Sequence, residues 1–210
     1  MPESREGPSP RGLRGPYAKT DAVQTRILDA CLELFAELGF RGTTMKQVAA
    51  RAGISQTGLA HHFSSKTALL DAVLRRRYAD AAAVIMAVPR RDVLSAQARV
   101  LHENSTQPGI IQLHTLLSAE ATSPSHPAHE FFAERLDSYR EYLTGAFDDA
   151  KTEGRVTTDL PSAQLANLYM AVQDGLQLQW IYNPQALDIE QGVRAFLSAF
   201  VDVGGRDGLA

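Results

Sequence analysis

Apolar residues recur at helical spacing along almost the whole chain, and this limits the accessible folds more than any other feature. From Thr20 onward, Ile27, Leu28, Cys31, Leu34, Phe35 and Leu38 lie three or four residues apart, forming one apolar face that Gly39 ends. Thr44 opens a second helix with Gln47 three residues later, the spacing of a capping box. Met45, Val48 and Ala49 point that helix inward, and Gly53 stops it. A short third helix is predicted over 56–62. Ser65 caps a long fourth one through Leu69, Leu70, Val73, Leu74 and Tyr78 to about Met86. Val88-Pro89 breaks the pattern, because a residue before proline is pushed out of the helical region. Further helices are predicted over 92–103, 108–121, 127–153, 162–182 and 188–203, with Pro108 and Pro127 in first turns. No stretch alternates like a strand between hairpin turns. The expected class is all-α.

Charge divides the chain. Residues 1–77 carry 12 Lys/Arg against 7 Asp/Glu and the remainder 9 against 17, so a +5 end is joined to a −8 remainder within a net charge of −3. Such asymmetry suits a chain with one end on a polyanion, although by itself it also occurs in proteins that bind no nucleic acid. Residues 1–19 hold four prolines, three glycines and no sustained apolar period, which predicts a flexible basic arm. Its Arg11 and Arg14 are candidate DNA contacts, the minor groove included. The single cysteine, Cys31, excludes an intramolecular disulfide, and no apolar run is long enough for a membrane span. With no apolar secretory leader, a cytoplasmic protein is expected.

Between Thr44 and Phe63 the spacing reads as helix, tight turn, short helix. Gly53 sits where the reversal needs positive φ, Ile54 plugs the angle, and Ser55 can cap the next helix. This is the helix-turn-helix layout, although spacing alone also fits an αα-corner that never meets DNA. The polar residues argue for DNA. Gln56 can pair with adenine, the Thr57 methyl can meet thymine, and Gly58 lets the backbone come close. His61, His62 and Lys66 follow, and Lys66 opens a helix whose N-terminal amides favour phosphate.

The run from Thr44 to Leu70, TMKQVAARAGISQTGLAHHFSSKTALL, resembles the DNA-binding signature of TetR-type transcriptional regulators. Ile27-Leu28-Asp29-Ala30-Cys31 and Leu34-Phe35-Ala36-Glu37-Leu38-Gly39-Phe40 resemble that family's first helix. Ala60 and His61 depart from the pattern, standing where the family often has tyrosines. The resemblance implies a three-helix DNA-binding domain, expected here over 20–66, followed over 67–210 by a helical domain that binds an effector and dimerises. It implies a homodimer reading a near-palindromic double-stranded operator, and a repressor released by a small molecule. The expected DNA contacts are Thr44, Lys46, Ser55, Gln56, Thr57, Gly58, His61, His62 and Lys66, with Arg11 and Arg14 from the arm.

For the effector, the pocket is expected between the fourth helix and those over 108–121, 127–153 and 162–182. Its candidate residues are His114, Leu117, Glu120, Phe132, Tyr139, Tyr169, Gln173 and Gln177, although core packing also accounts for the aromatic ones. Apolar residues outnumber charged ones there, which favours an organic molecule, aromatic or acyl. His126, His129 and Glu130 have metal-like spacing, but their loop-to-helix junction disfavours an ion, and no metal or cofactor is expected. Leu168, Val172, Phe196 and Phe200 give the last two helices apolar surface that a second copy can cover. An enzyme lacks support, since no nucleophile elbow, P-loop, dinucleotide glycine pattern or two-histidine metal helix is present. An architectural DNA-binding protein that senses nothing, and an activator, both stay open.

Overall fold

The computed structural model describes residues 16–89, 92–106 and 109–202, and among these the structure is helical throughout. Nine helices follow in order: α1 (Pro16–Gly42), α2 (Met45–Arg51), α3 (Gln56–His62), α4 (Lys66–Met86), α5 (Val93–Ser105), α6 (Ile110–Glu120), α7 (His129–Thr152), α8 (Ser162–Tyr182) and α9 (Ile189–Phe200). Most run close to where the periodicity puts them, and several ends differ. Helix α1 starts at Pro16, so the last four residues of the expected arm are helical, with proline in the first turn. Arg11 and Arg14 lie outside the described residues. Gly109 is left-handed at φ 85, which delays α6 to Ile110. Pro127 lies in successive turns, where the His126 and His129 amides donate to Ser123 and His126 carbonyls, so α7 starts at His129. Helix α9 stops at Phe200 because Val201 pairs with Val156 in a short antiparallel bridge.

Two large apolar cores, with a small cluster of Ile85, Ala96 and Val100 between α4 and α5, organise these helices. One joins Ile27, Leu34 and Phe35 of α1 to Val48 and Ala49 of α2, Leu59 of α3, and Leu69, Leu70, Val73 and Leu74 of α4. It continues into Leu113 and Leu117 of α6 and Phe132 of α7. The packing that supports the first three helices therefore includes α6, eighty residues away in sequence. The second core gathers α5, α7, α8 and α9 around Leu101, Phe147, Tyr169, Val193 and Leu197. Cys31 lies inside the first core, where burial pushes its thiol up to about 12, so it stays protonated and unreactive.

Within the first core, α1 breaks near its end. Gly39 adopts φ 69, ψ 176, a conformation close to glycine-only. Three side chains take up the backbone groups around it. Glu120, at the end of α6, accepts the Phe40 amide at 2.9 Å. The buried Thr43 hydroxyl lies 3.1 Å from the Leu34 carbonyl and 2.9 Å from that of Gly39. Lys66 donates to the Phe40 and Thr43 carbonyls, both at 2.8 Å. Elsewhere Arg51 clamps α2 to α1 through Glu33 and Glu37, and Arg76 of α4 bonds Asp29.

A Cβ on residue 39 would stand 2.7 Å from Glu120 Oε1, on a backbone that side chains already disfavour. Gly39→Ala is expected to cost roughly 1–3 kcal/mol from the backbone alone. Denaturant unfolding reads this as a lower midpoint, and an unchanged midpoint would contradict the role given to the break.

Candidate DNA-reading face and effector cavity

The α2–α3 corner is built by local chemistry. Thr44 and Gln47 form the complete capping box, with the Thr44 hydroxyl 2.7 Å from Gln47 Oε1. Gly53 turns the chain at φ 67, and the Ile54 amide returns to the Ala49 carbonyl at 3.0 Å. Ser55 caps α3 by accepting the Gly58 amide at 3.0 Å. Leu59 and Val48 are buried beneath, fixing the angle between the two helices.

This geometry sorts the expected DNA contacts. Lys46, Gln56, Thr57 and His61 are exposed, and His62 is half-buried beside them at the end of α3. Thr44 and Ser55 are also exposed, but their hydroxyls serve the caps, so their first task is to position α2 and α3. Gly58 is half-buried, and a Cβ there would press on Ser55 Oγ at 3.2 Å, so the glycine leaves room for the cap. Lys66 differs most from expectation. Its ammonium holds two α1-end carbonyls and lies 4.4 Å from the Phe40 ring centre, which takes it away from phosphate.

Behind this face lies a cavity of about 450 Å³. Its wall draws on α4 (Leu74, Arg77, Tyr78), α5 (Gln97, Leu101, Asn104), α6 (Leu113, His114), α7 (Arg135, Tyr139) and α8 (Gln173, Gln177). The expected four helices contribute, and α5 is a fifth. His114, Tyr139, Gln173 and Gln177 line it as expected. Leu117, Glu120, Phe132 and Tyr169 do not. Leu117 and Phe132 are spent in the first core and Tyr169 in the second, while Glu120 faces the α1 break. Arg77, Asn104 and Arg135 escaped the sequence reading, because polar residues among other polar residues on a helix give no periodic signal of facing a cavity.

Hydrogen bonds fix the polar part of the wall. Burial raises the Tyr78 hydroxyl above the ordinary tyrosine range, so it stays protonated, and it shares a hydrogen bond with His114 Nδ1 at 2.7 Å. His114 Nε2 lies 3.6 Å from Asp174 Oδ1. The Tyr139 hydroxyl donates to Gln173 Oε1 at 3.0 Å, and burial raises its pKa as well. His126 and His129 are engaged with backbone: the Ala128 amide donates to His126 Nδ1 at 3.2 Å, and His129 Nδ1 bonds the Ala121 carbonyl at 2.8 Å. Among the described residues no three His, Cys, Asp or Glu side chains gather as a metal site.

Residues 27–73, covering the corner and the helices that brace it, match the family model of bacterial regulatory proteins of the tetR family. Over these residues the chain carries a TetR-type DNA-binding segment. The transcriptional repressor KstR2 of Rhodococcus jostii is 26% identical over 188 residues, 85% of this chain and 89% of that one. The transcriptional regulator RutR of Escherichia coli is 47% identical over 55 residues, 26% of each chain. Among solved structures, the complex of SmeT with triclosan superposes with a TM-score of 0.72 at 18% identity, over 90% of this chain and 97% of that one; SmeT is the repressor of a Stenotrophomonas maltophilia efflux pump. A Saccharomonospora viridis transcriptional regulator in complex with choline gives 0.71 at 19% identity, over 87% and 99%. At these identities the structural likeness shows the shared fold. No described helix of this chain is long and apolar enough to cross a membrane.

Two substitutions separate reading from support. Gln56→Ala is expected to cost about 1–3 kcal/mol on the preferred duplex and leave thermal unfolding unchanged. Lys66→Met is expected to lower the unfolding midpoint while leaving the slope of log affinity against log salt as it was. A Lys66 variant with normal stability and a reduced salt slope would put the ammonium back on phosphate.

Proposed function

We propose that the chain is a homodimeric repressor that binds a near-palindromic operator through paired α3 helices and leaves it when a small molecule fills the cavity. The observation that carries this is the shared use of α4 and α6. Both line the cavity, and both contribute to the core beneath the reading face. His114 and Glu120 lie six residues apart on α6, roughly 9 Å along the axis, with one in the cavity wall and the other bonded to Phe40. A ligand that prefers one placement of α6 must shift operator affinity by its differential affinity for the two placements, and the operator must shift ligand affinity equally. The cavity also weighs against an architectural role without sensing. A KstR2-like repressor and ligand-bound structures of the same fold support this reading.

The proposed dimer face is the outer side of α8. Leu168, Ala171, Leu178 and Tyr182 share one helical face and are exposed, with Tyr182 at 84%. Val172 is half-buried next to them. Phe196 and Phe200 of α9 are partly covered and pack on the second core, so charging them would also damage the protomer. Leu178→Glu is the cleaner probe. It is expected to turn dimer into monomer in sedimentation at micromolar concentration and to weaken operator binding with it. A variant that stays dimeric would place the interface elsewhere.

The basic arm is proposed to add phosphate or minor-groove contacts through Arg11 and Arg14. Because α1 starts at Pro16, deletion should stop at Gly15. Loss of residues 1–15 is expected to lower affinity and the salt slope together without changing unfolding. An unchanged slope identifies an idle tail.

A further inference from the structure

Arg135 carries a further inference, which rests on the effector reading above. It lies in the cavity wall beside Arg77, and no Asp or Glu lines that wall. The guanidinium is stacked against two rings, 4.1 Å from the centre of Tyr78 and 5.4 Å from that of Tyr139. Its Nε is buried without a hydrogen-bond partner, the guanidinium otherwise meets only the neutral Tyr78 hydroxyl, and no carboxylate among the described residues forms a salt bridge with it. The nearest acid to this region, Asp174, is largely exposed and faces His114. Arg77 donates to the neutral side-chain oxygen of Asn104. Arg135 is thus a permanent cation on a largely apolar cavity whose lining includes no Asp or Glu. A buried cation in that position is costly until an anion meets it.

We infer that the cavity takes an amphipathic organic acid, whose carboxylate meets Arg135, with Arg77 nearby, and whose apolar body lies along α4 and α5. The carboxylate follows from the guanidinium's surroundings. With its faces covered by tyrosine rings, only the in-plane N–H fork is left, and a planar two-oxygen group matches that fork. Leu74, Ala81, Ile85, Val100 and Leu101 supply the apolar wall for the body. Tyr78 links the two halves of the site, since it stacks under Arg135 and hydrogen-bonds His114 of α6. An acid that draws on Arg135 therefore acts on the helix that ends at Glu120.

The test is calorimetry on the full-length protein with matched probes: decanoate, decanamide and decyltrimethylammonium, together with 2-naphthoate and 2-naphthamide. The acids are expected to bind roughly ten- to hundred-fold more tightly than their amides, and the cation least. Arg135→Met is expected to bring acid and amide to similar affinity while amide binding persists, and Arg135→Lys to restore part of the preference. Amides or the cation binding as well as the acids to the native protein would overturn the inference and leave the effector reading standing. If no probe of any charge binds, the inference and the effector reading both fall. The native comparison needs no variant, so an Arg135 substitution that fails to fold does not decide the matter.

Discussion

The backbone around Gly39 cannot satisfy itself, and the arrangement of both halves of the molecule follows from how it is satisfied. A helix broken inside a protein frees amides and carbonyls that are costly to leave buried without partners. Here the Phe40 amide goes to Glu120, the Phe40 and Thr43 carbonyls to Lys66, and the Leu34 and Gly39 carbonyls face the Thr43 hydroxyl. The three side chains come from α6, α4 and the turn before α2. One local break therefore joins the reading helices to the first helix beyond them and to a helix of the cavity wall.

Electrostatics around this joint reinforce the division of labour. His126 packs edge-on against the Phe40 ring at 5.0 Å, with Nε2 3.8 Å from Glu120. Burial holds its pKa below the ordinary histidine value, against the pull of Glu120. A folded-state pKa below the unfolded one means that His126 contributes stability fully present above about pH 6.5, and that this contribution is lost as pH falls toward the folded value. The joint is thus built for a neutral histidine. The cavity has the opposite character, with Arg135 under tyrosine rings and no acid in its wall.

Much of this was legible in the sequence, for stated physical reasons. The capping box at Thr44, the positive-φ turn at Gly53 and the Ser55 cap are local devices, and α3 runs over the residues that spacing indicated. The face of α3 that carries Gln56, Thr57 and His61 followed from the same pattern. Long-range partners were not legible. Lys66 reads as a free cation at a helix start until α1 brings two carbonyls to it. Glu120 reads as a polar group on an apolar helix, and only the fold sets it against residue 40. Leu117, Phe132 and Tyr169 show why apolar and aromatic residues are poor pocket predictors, since the same periodicity serves a wall and a core. Arg135 lies among charged neighbours on α7, and its burial depends on Tyr78 and Tyr139 closing over it.

The central claim is that the Glu120 carboxylate holds the broken end of α1 and so ties the cavity wall to the reading face. Residue-resolved hydrogen exchange of the Phe40 amide tests it most directly, with the Val48 and Leu59 amides as references within the same domain. In the native protein the Phe40 amide should exchange slowly. In Glu120→Ala it should lose roughly ten- to hundred-fold of that protection while Val48 and Leu59 keep theirs. Equal Phe40 protection in both proteins would contradict the account, because the amide would then be held by something other than α6.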